Sequence, residues 1–195
     1  MSKYVSKGAV IRGPYRYRLW REWRGFASDE NWNWLTNERG EVAVDGAGKP
    51  LGEPKSCVFI MLNPSTADAE KDDPTIRRCV AYAKAWGYDR LDVVNLFAYR
   101  ATDPKTVLAM TRDDDPIGPD NQEIIEDVTM NAGKVICAWG THGKHIGQDE
   151  TVLGWIWPET TTYALKRTKD GSPSHPLYLP KNLAPFEWNG RGIHR

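Results

Sequence analysis

The polar side chains of this sequence with the means to do chemistry sit where apolar runs stop. Cys57-Val58-Phe59-Ile60-Met61-Leu62 is one such run, too short for an ordinary helix and suited to a strand covered on both faces. It ends at Asn63-Pro64, where proline can neither extend a ladder nor donate an N–H. Ser65, Thr66 and Asp68 follow at once. Open α/β sheets bind ligands at the carboxyl ends of their strands, so Asn63 to Asp68 read as the floor of a functional site. Asn95 stands near the end of a second run, LDVVNL, followed by Tyr99 and Arg100. Its amide offers both a donor and an acceptor, which suits the edge of a nucleobase or the tethering of its own loop. Gly140 to His142 close a third run, and the loop KRTKDGSPSHPLYLP, 166–180, holds Ser172, Ser174 and His175 among glycine and prolines. Parallel strands would bring all four places to one edge.

The elements needed for that arrangement are legible. Strands are expected at 57–62, 91–96, 134–139 and 161–165, with helices between them. Asp73-Pro74 and Asp103-Pro104 each pair an N-cap residue with a proline suited to the first helical position. Pro119 is expected to start another helix running to about Asn131, and a weaker one spans roughly 144–155. Alternating strands and helices argue a central, mostly parallel four-stranded sheet covered on both faces. The fold class expected is therefore α/β, a three-layer α/β/α sandwich. Tyr15 to Trp23, YRYRLWREW, alternates with period two and should form a strand at the margin. The chain reads as a single domain, with residues 1–54 as a β and loop extension on a 55–195 core.

Composition narrows the function. No run of 18 apolar residues and no apolar signal segment occurs in the 195 residues, so no membrane partner is expected and the location expected is cytoplasmic. Cys57, Cys79 and Cys137 are scattered and read as reduced core thiols. No metal or other cofactor is expected. His142-x-x-His145 and Asp113-Asp114-Asp115 read as loop residues, since no spacing ties a carboxylate to the histidines. Net charge is zero, yet residues 1–24 carry +6 and residues 166–195 carry +4. Basic ends with interleaved aromatics suit a phosphate-binding face, and they equally suit solvated charge balancing an acidic body. Trp20, Trp23, Trp32 and Trp34 are read mainly as packing residues.

Near full length, the chain resembles the family called domain of unknown function 1643. The resemblance rests on MLNPSTAD at 61–68, DPTIRRC at 73–79, VVNLFAYRATDP at 93–104, the glycine-ended strand at 134–140 and GSPSHPLYLP at 171–180. More distantly, the order of elements over 55–180 is similar to the uracil-DNA glycosylase superfamily. Met61-Leu62-Asn63-Pro64 resembles its water-activating motif, Asn95 its base-reading asparagine, and Ser174-His175-Pro176-Leu177 its late histidine loop. Met61 stands where that superfamily usually has glycine, and Leu177 where it has serine. Ser65 and Thr66 follow Pro64 where the strict uracil enzymes have an aromatic wall, which implies room for a 5-substituted pyrimidine. Three scattered cysteines do not reproduce the iron–sulfur site of some branches.

The resemblance implies a DNA glycosylase-like hydrolase that flips a nucleotide and cleaves its N-glycosidic bond. Asn63, Asp68 and His175 are the implied catalytic residues, and Asn95, Pro64, Ser65 and Tyr99 the implied base-binding ones. Arg16, Arg18, Arg77, Arg78, Arg100, Lys166, Arg167 and Ser174 are the expected nucleic-acid contacts. The expected partner is DNA, duplex or single-stranded, with no obligate protein partner. A non-catalytic nucleic-acid-binding module, a nucleoside or nucleotide hydrolase and a metal-dependent hydrolase remain as rival readings.

Overall fold

Alternate residues of the run at Ser56–Met61 (β3) serve two different cores. Cys57, Phe59 and Met61 pack against Ile76, Cys79, Val80 and Ala83 of the helix Pro74–Ala85 (α1). Val58 and Ile60 pack on the opposite face, against Ile125 and Val128 of the helix Asn121–Met130 (α3) and Val152 of the helix Gln148–Trp155 (α4). A strand buried on both faces has no polar face to show, which is why the sequence reads as a continuous apolar run.

The structure is a computed structural model that describes residues 4–23, 55–65 and 69–190. Trp32, Trp34, Thr66 and Asp68 lie outside the described residues, as does most of the segment expected to form turns and loops before β3. The fold is mixed α/β, built on one open seven-stranded sheet. Its remaining strands are Ser6–Arg12 (β1), Tyr15–Glu22 (β2), Arg90–Asn95 (β4), Lys134–Cys137 (β5), Thr162–Ala164 (β6) and Phe186–Glu187 (β7). The spatial order is β1-β2-β4-β3-β5-β6-β7. The four expected strands form its middle and run parallel to one another. The expectation of a four-stranded sheet is corrected to seven: an antiparallel hairpin, β1 and β2, extends one edge beside β4, and β7 extends the other. No helix among the described residues is long and apolar enough to cross a membrane.

Helix starts follow the cap chemistry. Asp73 accepts from the Ile76 N–H at 2.7 Å and Asp103 from the Lys105 N–H at 2.9 Å, which opens α1 and the short helix Pro104–Leu108 (α2). Two expected helices are corrected. The one placed at Pro119 begins at Asn121, because Gly118 at φ +84° is still turning the chain. The one placed at 144–155 is a 3-10 segment, Thr141–Gly147, interrupted by non-helical backbone at His145 and Ile146 (φ 47°), and then α4. The three adjacent aspartates include loop fasteners: Asp114 accepts from the Thr111 N–H and Asp115 from the Gly118 N–H.

Charged side chains are buried between β2 and β4. Asp92 in β4 is 1% exposed and accepts from Arg18 Nε at 2.9 Å and Arg90 Nε at 2.8 Å. Arg90 also reaches Glu22, and the Arg18 and Arg90 guanidinium groups lie over the Trp20 ring at 6.0 and 5.8 Å from its centre. Burial pushes the Glu22 carboxyl up, against the pull of Arg90. This group joins β2 to β4 by charge as well as by ladder.

Candidate functional site

All four loops at the carboxyl ends of the parallel strands line a single cavity of about 790 Å³. That volume suits a small-molecule or single-nucleotide ligand. The loop after β3 contributes Asn63, Ser65 and Asp73, and the loop after β4 contributes Ala101, Thr102 and Pro104. The loop after β5 contributes Trp139 to His142, and the loop after β6 contributes Lys166 to Lys169 and Ser174 to Leu179, apart from the buried Pro176. Backbone bonds tie these loops to one another: Gly140 N–H donates to Pro173 O at 2.7 Å, and Ala101 N–H to Pro64 O at 2.9 Å. Gly140 has φ +76°, a turn that suits glycine.

Hydrogen bonds assign each polar atom a direction. Asn63 Nδ2 donates to Ala101 O at 2.8 Å and to Pro64 O at 3.2 Å. Its amide is thereby fixed, and Oδ1 is left as an acceptor. Ser65 Oγ donates to Asp73 Oδ2 at 2.5 Å, so toward any further partner this hydroxyl accepts. Asp73 uses its other oxygen to cap α1. His175 caps the 3-10 turn Pro176–Tyr178 through Nδ1, which accepts the Leu177 N–H at 3.4 Å. That places the ring proton of neutral His175 on Nε2, as a donor. Burial lowers the His175 pKa, and the nearby Asp73 carboxylate partly opposes it.

The expected site residues divide. Asn63, Ser65, Ser174, His175, Lys166, Arg167 and a buried Arg16 all line the cavity. Asn95 does not line it. It pairs in register with Met61, which lines the cavity floor, yet Asn95 itself is 1% exposed and buried behind that floor. Both of its amide atoms are without a hydrogen-bond partner among the described residues. Tyr99 packs edge-on against Tyr15 and, with Arg100, lines a smaller hollow that adjoins the cavity at Ser65, Ala101 and Thr102. Pro64 is buried and does not line the cavity, and its carbonyl accepts from Asn63 Nδ2 and the Ala101 N–H. Arg18 belongs to the Asp92 group inside the fold, while Arg77 donates to Asp72 O and, like Arg78, does not line the cavity. His145 turns away to Met110 O, so it does not pair with His142 on the cavity wall.

Asp73, Trp139, Lys169 and Tyr178 line the cavity without having stood out as site residues in the sequence. Asp73 was legible as a cap, and a capping carboxylate on the first turn after a strand-end loop necessarily sits near that strand's carboxyl end. Tyr178 carried no signal beyond its closeness to His175.

The titration of His175 offers a direct check on the assigned tautomer. His175 is expected to titrate below the ordinary 6.5. Because the folded state favours the neutral ring, its contribution to stability is present above about pH 6.5 and falls away as the pH drops and the unfolded chain takes up the proton. Nitrogen-detected NMR should find the neutral ring protonated at Nε2; a ring protonated at Nδ1, or titrating above 6.5, would contradict the geometry.

Fold and site together define an open α/β domain with a largely apolar cleft, set with polar and basic side chains, across the carboxyl edge of its parallel strands. Residues 49–177 match the family model described as a protein of unknown function (DUF1643), and the chain belongs to that family. No curated protein and no solved structure matches it.

Proposed function

We propose that the cavity hydrolyses the N-glycosidic bond of a uracil-like or 5-substituted pyrimidine nucleotide held in DNA. The carrying observation is the division of the walls: fixed acceptors on Asn63 and Ser65 meet a neutral imidazole donor on His175 in one cavity. A water that donates one hydrogen to Asn63 Oδ1 and the other to Ser65 Oγ turns a lone pair outward, toward the sugar carbon. As the glycosidic bond breaks, its electron pair leaves with the base and His175 Nε2–H stabilises the resulting anion; the water oxygen bonds to the sugar carbon, and its proton passes to Ser65 Oγ as the Ser65 proton moves to Asp73. A neutral donor suits this step, and burial of the ring supports it. Asp73 anchors the Ser65 hydroxyl and lends negative charge beside the cation-like sugar. In this reading Asn95 supports the floor without touching the base.

Apolar clusters on both faces of the sheet support a three-layer α/β/α arrangement like that of the uracil-DNA glycosylase superfamily. The test is incubation with oligonucleotides carrying uracil or pyrimidines with small and bulky 5-substituents, followed by alkaline cleavage at abasic sites. Strand scission at the modified position alone is expected. Intact strands for every base would remove the hydrolase reading.

A further inference from the structure

The cations of the N-terminal hairpin are largely committed to partners within the fold. Lys7 pairs with Glu70, Arg12 with Asp120, Arg18 with Asp92 and Arg21 with Asp72. Around the cavity the exposed cations are Lys166, Arg167 and Lys169, and none of these three makes an ion pair among the described residues. All three come from one short segment after β6. Cavity-lining residues from the loops after β3 and β4 include the uncharged Thr75, Thr102 and Pro104. The exposed cations of the cavity's own rim therefore all come from one loop, while exposed Arg100 stands in the adjoining hollow that shares Ser65, Ala101 and Thr102 with the cavity.

This rim is built on a fixed loop. Thr168 N–H donates to Ser172 O at 2.8 Å, Gly171 N–H to Thr168 O at 3.1 Å, and Ser174 N–H to Lys166 O at 2.8 Å. Asp170, the one acidic residue of the loop, is engaged by Thr168, Ser172 and Lys144, which hold its carboxyl well below the usual range. Beside it stands Tyr178, which lines the cavity yet is 87% exposed. A planar ring at the mouth of a basic cleft offers a stacking face to a base of any sequence.

We infer that the substrate is single-stranded nucleic acid, with one base in the cavity, its neighbour stacked on Tyr178 and one backbone following Lys166 to Lys169. A base stacked on Tyr178 must be free of a pairing partner, which a single strand offers and a duplex does not. The inference rests on the proposed placement of a base in the cavity and not on its cleavage.

Fluorescence anisotropy with an unmodified single-stranded oligonucleotide, the same sequence as a duplex, and a mononucleotide tests it. The single strand should bind at least about tenfold tighter than either alternative, with log K falling against log salt at a slope of about −2, as expected for three neutralised phosphates. Tyr178→Ala should weaken binding roughly tenfold while Tyr178→Phe keeps it, since the face stacks and the hydroxyl does not. Joint alanine replacement of Lys166, Arg167 and Lys169 should flatten the salt slope. All of these side chains are exposed, so melting temperatures should stay unchanged. Equal or tighter duplex binding, equal mononucleotide binding, or full affinity in Tyr178→Ala overturns the inference. Single-strand binding without base release would instead overturn the hydrolase reading and leave this one standing.

Discussion

His175→Ala is expected to slow base release by about 10²- to 10³-fold, the usual cost of removing one donor aimed at developing negative charge. Affinity for the strand should barely move, because the donor matters most after the bond has begun to break. The variant should fold, since the Nδ1 contact it loses caps only the short turn 176–178. Asp73→Asn probes the opposite wall with less structural disturbance than alanine would cause. Asparagine caps helices about as well as aspartate, so α1 should keep its start and the protein its melting temperature. The carboxylate that anchors Ser65 would nevertheless be gone. Single-turnover rates should fall at least about tenfold, with substrate affinity held. If both variants release base at the unaltered rate, neither wall does the work assigned to it.

Asp92→Ala is expected to destabilise the fold by about 3 kcal/mol, read from the urea midpoint at constant slope. The replacement leaves two arginines in the sheet without the carboxylate both of them hold. Broken buried pairs cost about 3–5 kcal/mol, and the lower end applies here for two reasons. Arg90 retains Glu22 at 3.4 Å, and the Arg18 side chain is 25% exposed and can reach water. A loss under about 1 kcal/mol, the range of surface pairs, would mean that the group is solvated and does not fasten β2 to β4.

The middle of the sheet was legible in the sequence because β3, β4 and β5 are covered on both faces and therefore mainly apolar. Two of its helices were legible because their caps are spelled out by Asp-Pro. The edges were not. β1 mixes Ser, Lys and Gly with Val and Ile, and β7 has only two residues, so neither carries a readable period. The site was legible through its loops, and less so through individual side chains. Asn95 looked like a pocket residue because it ends an apolar strand, but Met61, its register partner, takes the floor position. Arg16 and Arg18 looked alike by charge. A bulge in β2 opposite Val10 and Ile11 puts them out of simple alternation, and the inward Asp92 claims Arg18. That aspartate, an acid within LDVVNL, was the available signal that a nearby arginine belonged to the interior.

The antiparallel pairing of β2 with β4 has a bearing on what counts as this protein's unit of folding. The family match covers 49–177, and the hairpin of β1 and β2 lies outside it, as does β7. A fragment cut to those limits would leave the hydrogen-bonding edge of β4 bare from Arg90 to Val93, an invitation to other chains to add a strand. It would also strand Asp92 and Arg90 without Arg18 and Glu22, and open the cavity wall where Arg16 stands. The segment matched as sequence is thus smaller than the sheet it belongs to, and the hairpin at 6–22 covers an edge that the matched segment alone leaves open.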